Sequence, residues 1–306
     1  QIVNFGRLSD AYGFDGNEFQ TKALAFGENM LINGGFDIWQ RGTSTTAVTS
    51  AAYTTADRFW MLVTGGGAGT IGRSTVVPTG EGFAYSFFMN TTAGTNAFMG
   101  TSVELTKDGP FKTDTDYTAS LWIRDGGGNL QAYYRNTIAD ATDQVALGSK
   151  LLPFNAGWVK HEFTFNTGSN VPNASNTMLA LDIAGADMLG AKTTGWKLEE
   201  GATATPFTRA GNNIAGELAM CQRYYEYGEN RGDWYVHNAG NYSMSPQYLV
   251  EKRVVPTLTT TNVSVVNMST TITTFTETTR GFALYHGALA TANGNFVDNW
   301  TADAEL

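Results

Sequence analysis

The chain has 306 residues, of which 42% are hydrophobic and only 15% carry a charged side chain, and its formal net charge is −9. A hydrophobic content this high excludes an acidic disordered chain, and a negative charge without any cluster of Lys and Arg argues against nucleic-acid binding and against adhesion to an anionic membrane. No apolar run approaches the roughly 20 residues that span a bilayer, so we expect no membrane insertion.

The first 26 residues show no clear secondary-structure period. Aromatic side chains such as Phe5, Tyr12 and Phe19 are scattered among polar residues, without the spacing of about 2 or 3.6 residues that strands and helices produce. We interpret residues 1–26 as an N-terminal arm or the end of a stalk that lies against another molecule.

Residues 27–210 have the pattern of a β-sandwich. Short segments such as Val103–Thr106, Tyr117–Arg124 and Trp158–Phe165 alternate apolar with polar residues, which places one side of each strand on a core and the other side in water. Turns rich in glycine and asparagine, for example Asp125–Asn129, separate these segments. Strands that recur about every 8–12 residues between such turns are typical of a sandwich or jelly roll.

A helix is predicted after this sandwich. From Asn213 to Tyr227 apolar residues recur at helical spacing, Asn213 can cap the N-terminus, and Gly228 can end the helix in the left-handed conformation. The apolar stripe that this helix would bury consists of Ile214, Leu218, Cys221 and Tyr225.

Residues 211–306 are expected to form a smaller unit that contains this helix and further strands. Thr257–Thr279 is rich in threonine and valine, whose β-branched side chains favour strands, while Phe282, Phe296 and Trp300 supply apolar anchors. A core this thin is often stabilised by association with further copies. The sequence therefore predicts an all-β chain: a jelly-roll β-sandwich, one connecting helix and a small C-terminal β domain.

A recognition loop is predicted within residues 231–242. Sugar recognition uses flat aromatic faces against the apolar side of the ring and polar groups for the sugar hydroxyls, and this stretch mixes such residues between glycines. A core position for Trp234 or Tyr235 is an equal alternative. The candidate glycan-binding residues are Trp234, Tyr235, His237, Asn241 and Tyr242, together with Tyr133 and Tyr134, of which one should face outward because they are adjacent in a strand.

Catalytic and metal-binding chemistry finds little support in the sequence. Cys221 is the only cysteine and the three histidines are isolated, and no motif of a zinc protease, serine hydrolase or phosphate-binding loop occurs. Two acid pairs, Glu199–Glu200 and Asp114 with Asp116, have the residue types of a glycosidase, but a solvated surface position or an ion site explains either pair more simply. We therefore expect no enzymatic activity and no cofactor.

Several stretches resemble one family of proteins. They are Asn29–Gly42 (NMLINGGFDIWQRG) with Ala56–Trp60 (ADRFW), Gly195–Phe207 (GWKLEEGATATPF) with Cys221–Glu226 (CQRYYE), and Glu251–Thr257 (EKRVVPT) with the final residues Thr301–Leu306 (TADAEL). Together they are similar to the C-terminal part of tail fibre and receptor-binding proteins of tailed bacteriophages, including marine and cyanobacterial phages.

The resemblance implies a homotrimeric fibre tip on the virion, acting outside the cell, with a globular part like a carbohydrate-binding jelly roll. Its partners would be further copies of the chain, a glycan or other receptor on the host surface, and other tail proteins reached through the N-terminal arm. The implied function is host attachment by multivalent binding without catalysis. A purely structural virion appendage and a glycan depolymerase are the alternatives.

The opening Asn29–Asp37 also resembles the first strand of several carbohydrate-binding modules, which lies near a structural Ca²⁺. The resemblance implies Asp37 as a candidate calcium ligand, although those modules carry Glu at this position. Independently of any resemblance, the adjacent Asp57 and Arg58 suggest a structural carboxylate–guanidinium pair at the edge of the sandwich.

Overall fold

A computed structural model describes residues 28–64, 67–91, 96–105, 111–138, 144–169, 178–185, 188–236 and 240–305. The predicted N-terminal arm, residues 1–26, lies outside the described residues. The described residues divide into two compact units: the first comprises Gly42–Ile214 and the residues before Ile38, and the second comprises Ile38–Arg41 and Ala215–Glu305.

The first unit contains eleven strands among its described residues, and all of their pairings are antiparallel. In chain order they are β1 (Ser44–Val48), β2 (Phe59–Val63), β3 (Gly69–Ser74), β4 (Ser86–Thr91), β5 (Ala97–Glu104), β6 (Asp116–Arg124), β7 (Gly126–Arg135), β8 (Val145–Asn155), β9 (Val159–Asn166), β10 (Met178–Gly185) and β11 (Lys192–Glu200).

These strands form two sheets that enclose a shared apolar core. One sheet has six strands in the order β1-β3-β4-β11-β6-β9, and the other has five in the order β2-β5-β10-β7-β8. The chain passes back and forth between the sheets, so that residues distant in sequence meet in the interior. Fully or almost fully buried side chains of this core include Phe59, Phe87, Leu121, Leu181 and Leu198.

The second unit contains the helix α1 (Ile214–Gln222) from Ala215 onward, followed by short antiparallel sheets. Its described strands are β12 (Tyr225–Tyr235), β13 (Asn241–Met244), β14 (Thr257–Val266), β15 (Thr273–Phe275), β16 (Ala283–Gly287) and β17 (Asn293–Asp303). They pair in the orders β12-β17-β14 and β13-β16-β15. The predicted fold class, a β-sandwich followed by one helix and a small β unit, is confirmed.

The helix is shorter than its sequence pattern predicts. It ends at Gln222, and both Tyr225 and Gly228 belong to β12, so Gly228 does not terminate the helix. Pairing with all eleven residues of β17 holds this segment extended. Of the predicted apolar stripe, Cys221 is fully buried whereas Ile214, the first residue of the helix, is 53% exposed.

The segment that opens the first unit is anchored by buried asparagine side chains. The Asn29 side chain donates to the Trp196 carbonyl oxygen at 2.9 Å and accepts hydrogen bonds from the Leu31 and Leu198 amides. The Asn33 side chain donates to the Asp57 carbonyl oxygen at 2.9 Å. Buried amides must be paired to avoid a desolvation cost, so these residue types fix the segment against β11.

Substitution of Gly34 tests the docking of this segment against β11, because a Cβ atom at position 34 would lie 1.9 Å from the Trp196 carbonyl oxygen. Gly34→Ala therefore forces the segment away from β11, and we expect a loss of unfolding free energy of about 3 kcal/mol or more. Denaturant unfolding measures it. Gly157→Ala is the control, since a Cβ atom at that exposed turn meets only ordinary contact at 3.5 Å; equal stability of the two variants would contradict the docking.

Candidate functional site

The sheet β12-β17-β14 has one covered face and one open face. On the covered face Phe296 and Trp300 are 1% and 6% exposed and belong to the core of the second unit. Side chains alternate along a strand, so the intervening residues point away from this core, and we call the surface that they form the outer face. It includes Tyr227, Glu229, Arg231, Asp233 and Tyr235 on β12, Asn293, Asn295 and Asn299 on β17, and Thr257, Thr259 and Thr261 on β14.

Two tyrosines dominate the outer face. Tyr227 is 61% exposed and Tyr235 is 56% exposed, which leaves much of each ring open to solvent. They lie on the same side of β12, near its two ends, and are separated by about 27 Å at a rise of about 3.4 Å per residue. The pair therefore marks the ends of an elongated surface.

Each tyrosine borders a shallow depression. The depression beside Tyr227 has a volume of about 430 Å³ and is lined in part by Gln40, Glu229 and Asn299. The depression beside Tyr235 has a volume of about 380 Å³ and is lined in part by Asp233, Asn293 and Asn295. Aromatic, amide and carboxylate groups are thus combined at both ends of the outer face.

A surface ion pair lies between the two depressions. The Arg231 Nε atom donates to Glu229 Oε1 at 2.6 Å, and this hydrogen bond raises the pKa of the Arg231 guanidinium. Both side chains are largely exposed, so the pair adds little to stability. Its position between the tyrosines places polar groups along the whole length of β12.

Two glycines on β12 fix which side of the sheet is covered. A Cβ atom at Gly228 would lie 2.4 Å from the Trp300 ring, and one at Gly232 would lie 2.0 Å from the Trp234 ring. Both tryptophan rings therefore pack closely against glycine backbone on the covered side. A shift of β12 by one residue would remove this fit and would turn Tyr227 and Tyr235 inward.

The predicted recognition loop is not a single surface. Trp234 and Tyr235 are neighbours in β12 and point to opposite faces: Trp234 packs on the core, 5.3 Å from the Phe296 ring and 6.1 Å from the Tyr242 ring, centre to centre. Asn241 is exposed on β13, in the other sheet of this unit. His237 lies outside the described residues. Among the described candidates of this loop, Tyr235 alone belongs to the outer face.

The expectation that Tyr133 or Tyr134 faces outward is wrong. Their exposed fractions are 4% and 1%. Tyr134 points into the sandwich interior. Tyr133 lies on the other side of the five-stranded sheet, and that side is also covered around Tyr133. An adjacent aromatic pair indicates one exposed ring only where one face of a sheet is open to water.

A polar cluster occupies the covered outer side of this five-stranded sheet. The Tyr133 hydroxyl donates to Asp182 Oδ2, and the Arg135 guanidinium donates to the Tyr133 hydroxyl oxygen at 3.0 Å. Asp182 is 2% exposed, and its Oδ1 atom has no hydrogen-bond partner among the described residues. Burial raises the pKa of Asp182 to about 8, so its neutral form is favoured at neutral pH.

This burial makes the stability of the protein depend on pH. The pKa of Asp182 in the folded chain lies above its ordinary value of 3.8. The contribution of the neutral Asp182 side chain to the free energy of unfolding is therefore fully present below about pH 4 and is lost as the pH rises towards 8. Asp182→Asn, which stays neutral, should remove this loss. Relative to the variant, the native chain should lose up to about 1.4 kcal/mol per pH unit between about pH 5 and 7.

Urea unfolding of the two proteins across that range measures the difference. Parallel stability curves would show that Asp182 ionises as freely in the folded chain as in the unfolded chain.

The remaining predicted residues have structural partners. Asp37 Oδ2 accepts a hydrogen bond from Arg209 Nε at 2.8 Å, and the Asp37 side chain is 5% exposed. The Arg58 guanidinium donates to the Ser102 carbonyl oxygen at 3.0 Å, and both Asp57 and Arg58 are 1% exposed. An arginine already neutralises Asp37, which does not favour a cation there; calcium binding by Asp37 stays a prediction.

Three of the four acidic residues in the two predicted pairs make local side-chain contacts. Glu199 is buried, accepts from the Thr205 amide at 2.7 Å and lies 3.2 Å from Lys197 Nζ, whereas Glu200 on the opposite side pairs with Lys112 at 2.8 Å. Asp116 accepts from the Asn166 side chain at 2.7 Å. Within the part of the chain that the structure describes, no group of three or more His, Cys, Asp or Glu residues could hold a metal ion.

Sequence reasoning missed the residues on the outer face other than Tyr235. Tyr227, Asn295 and Asn299 lie in segments whose alternation identifies a face only once the strand is assigned. The signal was present, since Phe296, Asp298 and Trp300 alternate with Asn295, Val297 and Asn299. The prediction of a helix up to Tyr227 hid it on β12.

Comparisons with known proteins are limited to distant structural likeness. No family model and no curated protein matches the chain. The described helix is neither long nor apolar enough to cross a membrane.

Three solved structures represent this likeness. The enzymatically active domain of tailspike protein 4 of bacteriophage CBA120 has a TM-score of 0.36 and 11% identity, over 56% of this chain and 21% of that chain. A cyclase from Fischerella sp. TAU has a TM-score of 0.36 and 13% identity, over 56% of this chain and 96% of that chain. The family 11 carbohydrate-binding module of a Clostridium thermocellum cellulase has a TM-score of 0.31 and 11% identity, over 51% of this chain and 97% of that chain. This chain thus spans about a fifth of the length of the tailspike domain.

Proposed function

We propose that this chain is a non-catalytic attachment module that binds glycan on the outer face. The observation that supports it best is the placement of Tyr227 and Tyr235, both more than half exposed, on one side of a sheet and each beside a depression with amide and carboxylate groups. Exposed aromatic rings on a rigid strand cost little entropy to present to a ligand.

The residue types on this face match the chemistry of a sugar. A pyranose ring offers an apolar side, which packs on an aromatic ring, and hydroxyl groups at its rim, which exchange hydrogen bonds with amides and carboxylates. Tyr227 and Tyr235 provide the rings, while Asn299 and Asn295 of the neighbouring strand lie beside them. A spacing of about 27 Å along β12 suits an extended polysaccharide that contacts both ends.

The biological setting follows from the sequence resemblance and is part of the proposal. The chain would act at the tip of a phage tail fibre and hold the virion to glycan on the host surface. Single sites of this open kind bind weakly, and linkage of several copies raises the apparent affinity by about 10²–10⁴ when the receptor reaches more than one site. The homotrimer implied by the resemblance stays a prediction.

The alternatives differ in what they require of the same residues. A glycan depolymerase needs two carboxyl groups about 5–10 Å apart with free access to the sugar bond, whereas Glu199 is buried against Lys197 and Thr205. A purely structural appendage needs no exposed tyrosines at the ends of β12. Binding therefore agrees best with the described residues.

Substitution of the tyrosines tests the proposal. Tyr227→Ala and Tyr235→Ala should each weaken binding to host envelope polysaccharide by about fivefold to tenfold, since a lost ring contact is worth about 1 kcal/mol. The double variant should lose more than either single variant. Affinity electrophoresis in gels that contain the polysaccharide measures these changes on the purified chain.

The matched control is Phe154→Ala in the first unit, which removes an aromatic ring that is 61% exposed, as is Tyr227. Binding should be unchanged in this variant. Equal losses for all three residues, or none for the tyrosines, would refute the outer face as the site. Release of reducing sugar by the native chain would support the depolymerase instead.

A further inference from the structure

The start of β12 shows how this sheet holds a cation. Tyr225 lies on the same side of β12 as the two exposed tyrosines, and Asp303 of β17 is directly opposite it. The Arg41 guanidinium lies 3.7 Å from the centre of the Tyr225 ring. Arg41 Nη2 also lies 3.3 Å from Asp303 Oδ2 and 3.2 Å from Glu305 Oε1. Because the negative face of a tyrosine ring attracts a cation and a carboxylate adds a charge-assisted hydrogen bond, this end of the sheet binds a cation of the chain itself.

The opposite end of β12 combines the same two chemical groups. Asp233 and Tyr235 lie on one side of the strand, two residues apart, and Asn295 and Asn293 of β17 are directly opposite them. These four residues line the depression of about 380 Å³, and no Lys, Arg or His of the described residues lines it. Asp233 makes no hydrogen bond and no ion pair with any described residue. A carboxylate and an exposed aromatic ring thus border this depression without an internal cation.

The neighbouring charges on β12 do not neutralise Asp233. Arg231 lies two residues away on the same side, but its Nε atom donates to Glu229 Oε1 at 2.6 Å, on the side away from Asp233. The pKa of the Arg231 guanidinium is raised first by this hydrogen bond and least by the charge of Asp233. These three side chains together carry one more negative than positive charge, and the excess lies at the Tyr235 end.

We propose that Asp233 and Tyr235 form an ammonium subsite of the outer face, so that the glycan bound there contains an amino sugar with a free amine. This inference rests on the proposed function and specifies which sugar the outer face takes. The ammonium group would contact the Asp233 carboxylate and the Tyr235 ring, in the way that the Arg41 guanidinium contacts Asp303 and Tyr225.

The asparagines of the depression favour a sugar over a polyamine or a basic peptide. Asn293 and Asn295 are directly opposite Tyr235 and Asp233, and their amides can both donate and accept hydrogen bonds. An amino sugar carries a hydroxyl on the carbon next to its amine, whereas a lysine side chain or a polyamine offers no such group. The amides therefore have partners only when the cation belongs to a sugar.

The two ends of the outer face would take different sugar units. The depression beside Tyr227 is lined in part by the amides of Gln40 and Asn299, and its carboxylate, Glu229, is already paired with Arg231. This end therefore suits a neutral or N-acylated unit, while the other end suits an ammonium group. The difference gives the bound polysaccharide a preferred direction along β12.

Two forms of one oligosaccharide test the subsite. A short glucosamine oligomer carries an amine on every ring, and the same oligomer after N-acetylation carries none. The native chain should bind the glucosamine form about fivefold more tightly at low salt, as expected of one exposed ion pair supported by a cation–π contact. The preference should become smaller as the salt concentration rises. Calorimetric titration at a pH where the amine is protonated measures both affinities.

A pair of variants with equal charge separates the subsite from general attraction between a cationic oligomer and a chain of net charge −9. Asp233→Asn should reduce the ratio of the two affinities to about 1, because the carboxylate that selects the ammonium is removed. The matched control is Glu81→Gln, which removes one negative charge from an exposed position between β3 and β4 and should keep the native ratio. Thermal unfolding of both variants shows that they are folded.

Different results would overturn the subsite and the proposed function. Equal or reversed affinities of the native chain, or a preference that Asp233→Asn keeps or that Glu81→Gln loses, would overturn the ammonium subsite alone. A lysine oligomer that binds as tightly as the glucosamine oligomer would also overturn it, because sugar hydroxyls would then contribute nothing. Binding of host envelope polysaccharide but of neither oligomer would leave the proposed function standing without the subsite. Binding of none of these glycans would overturn both.

Discussion

The packing of two tryptophan rings against glycine backbone determines what the second unit presents to its surroundings. Trp300 lies over Gly228 and Trp234 lies over Gly232, both at distances that leave no room for a Cβ atom. A strand has only two faces, so the fit that fixes these rings on one side also fixes Tyr227 and Tyr235 on the other. The outer face is thus a consequence of core packing and not of the loops around it.

Buried charged groups give both units their second set of constraints. Lys197 is paired with Glu199 in the first unit and Lys252 with Glu226 in the second, and all four side chains are at most 3% exposed. Burial lowers the pKa of both lysines. Loss of one partner from such a pair leaves an uncompensated charge, so these contacts fix the position of β11 and the start of β12 more strictly than apolar packing alone.

The sequence predicts the fold class well because that prediction depends on repeated alternation and turn residues. It predicts individual positions less well where a second layer intervenes: Tyr133 is buried because the second side of its sheet is covered, a fact about distant segments that adjacent residues cannot report. Likewise the helix prediction failed at Tyr225, where pairing with β17 overrides a local helical period. Tyr235 was found from composition, whereas Tyr227 required the strand assignment.

The outer face, two aromatic ends joined by a polar middle, is the surface on which the proposed glycan binding depends. The most direct test is a crystal structure of the protein with an oligosaccharide from the host envelope. The account predicts sugar rings packed on Tyr227 and Tyr235 with hydroxyls bonded to Asn295 and Asn299. An oligosaccharide bound only to the first unit, with the outer face bare and unobstructed in the crystal, would contradict it.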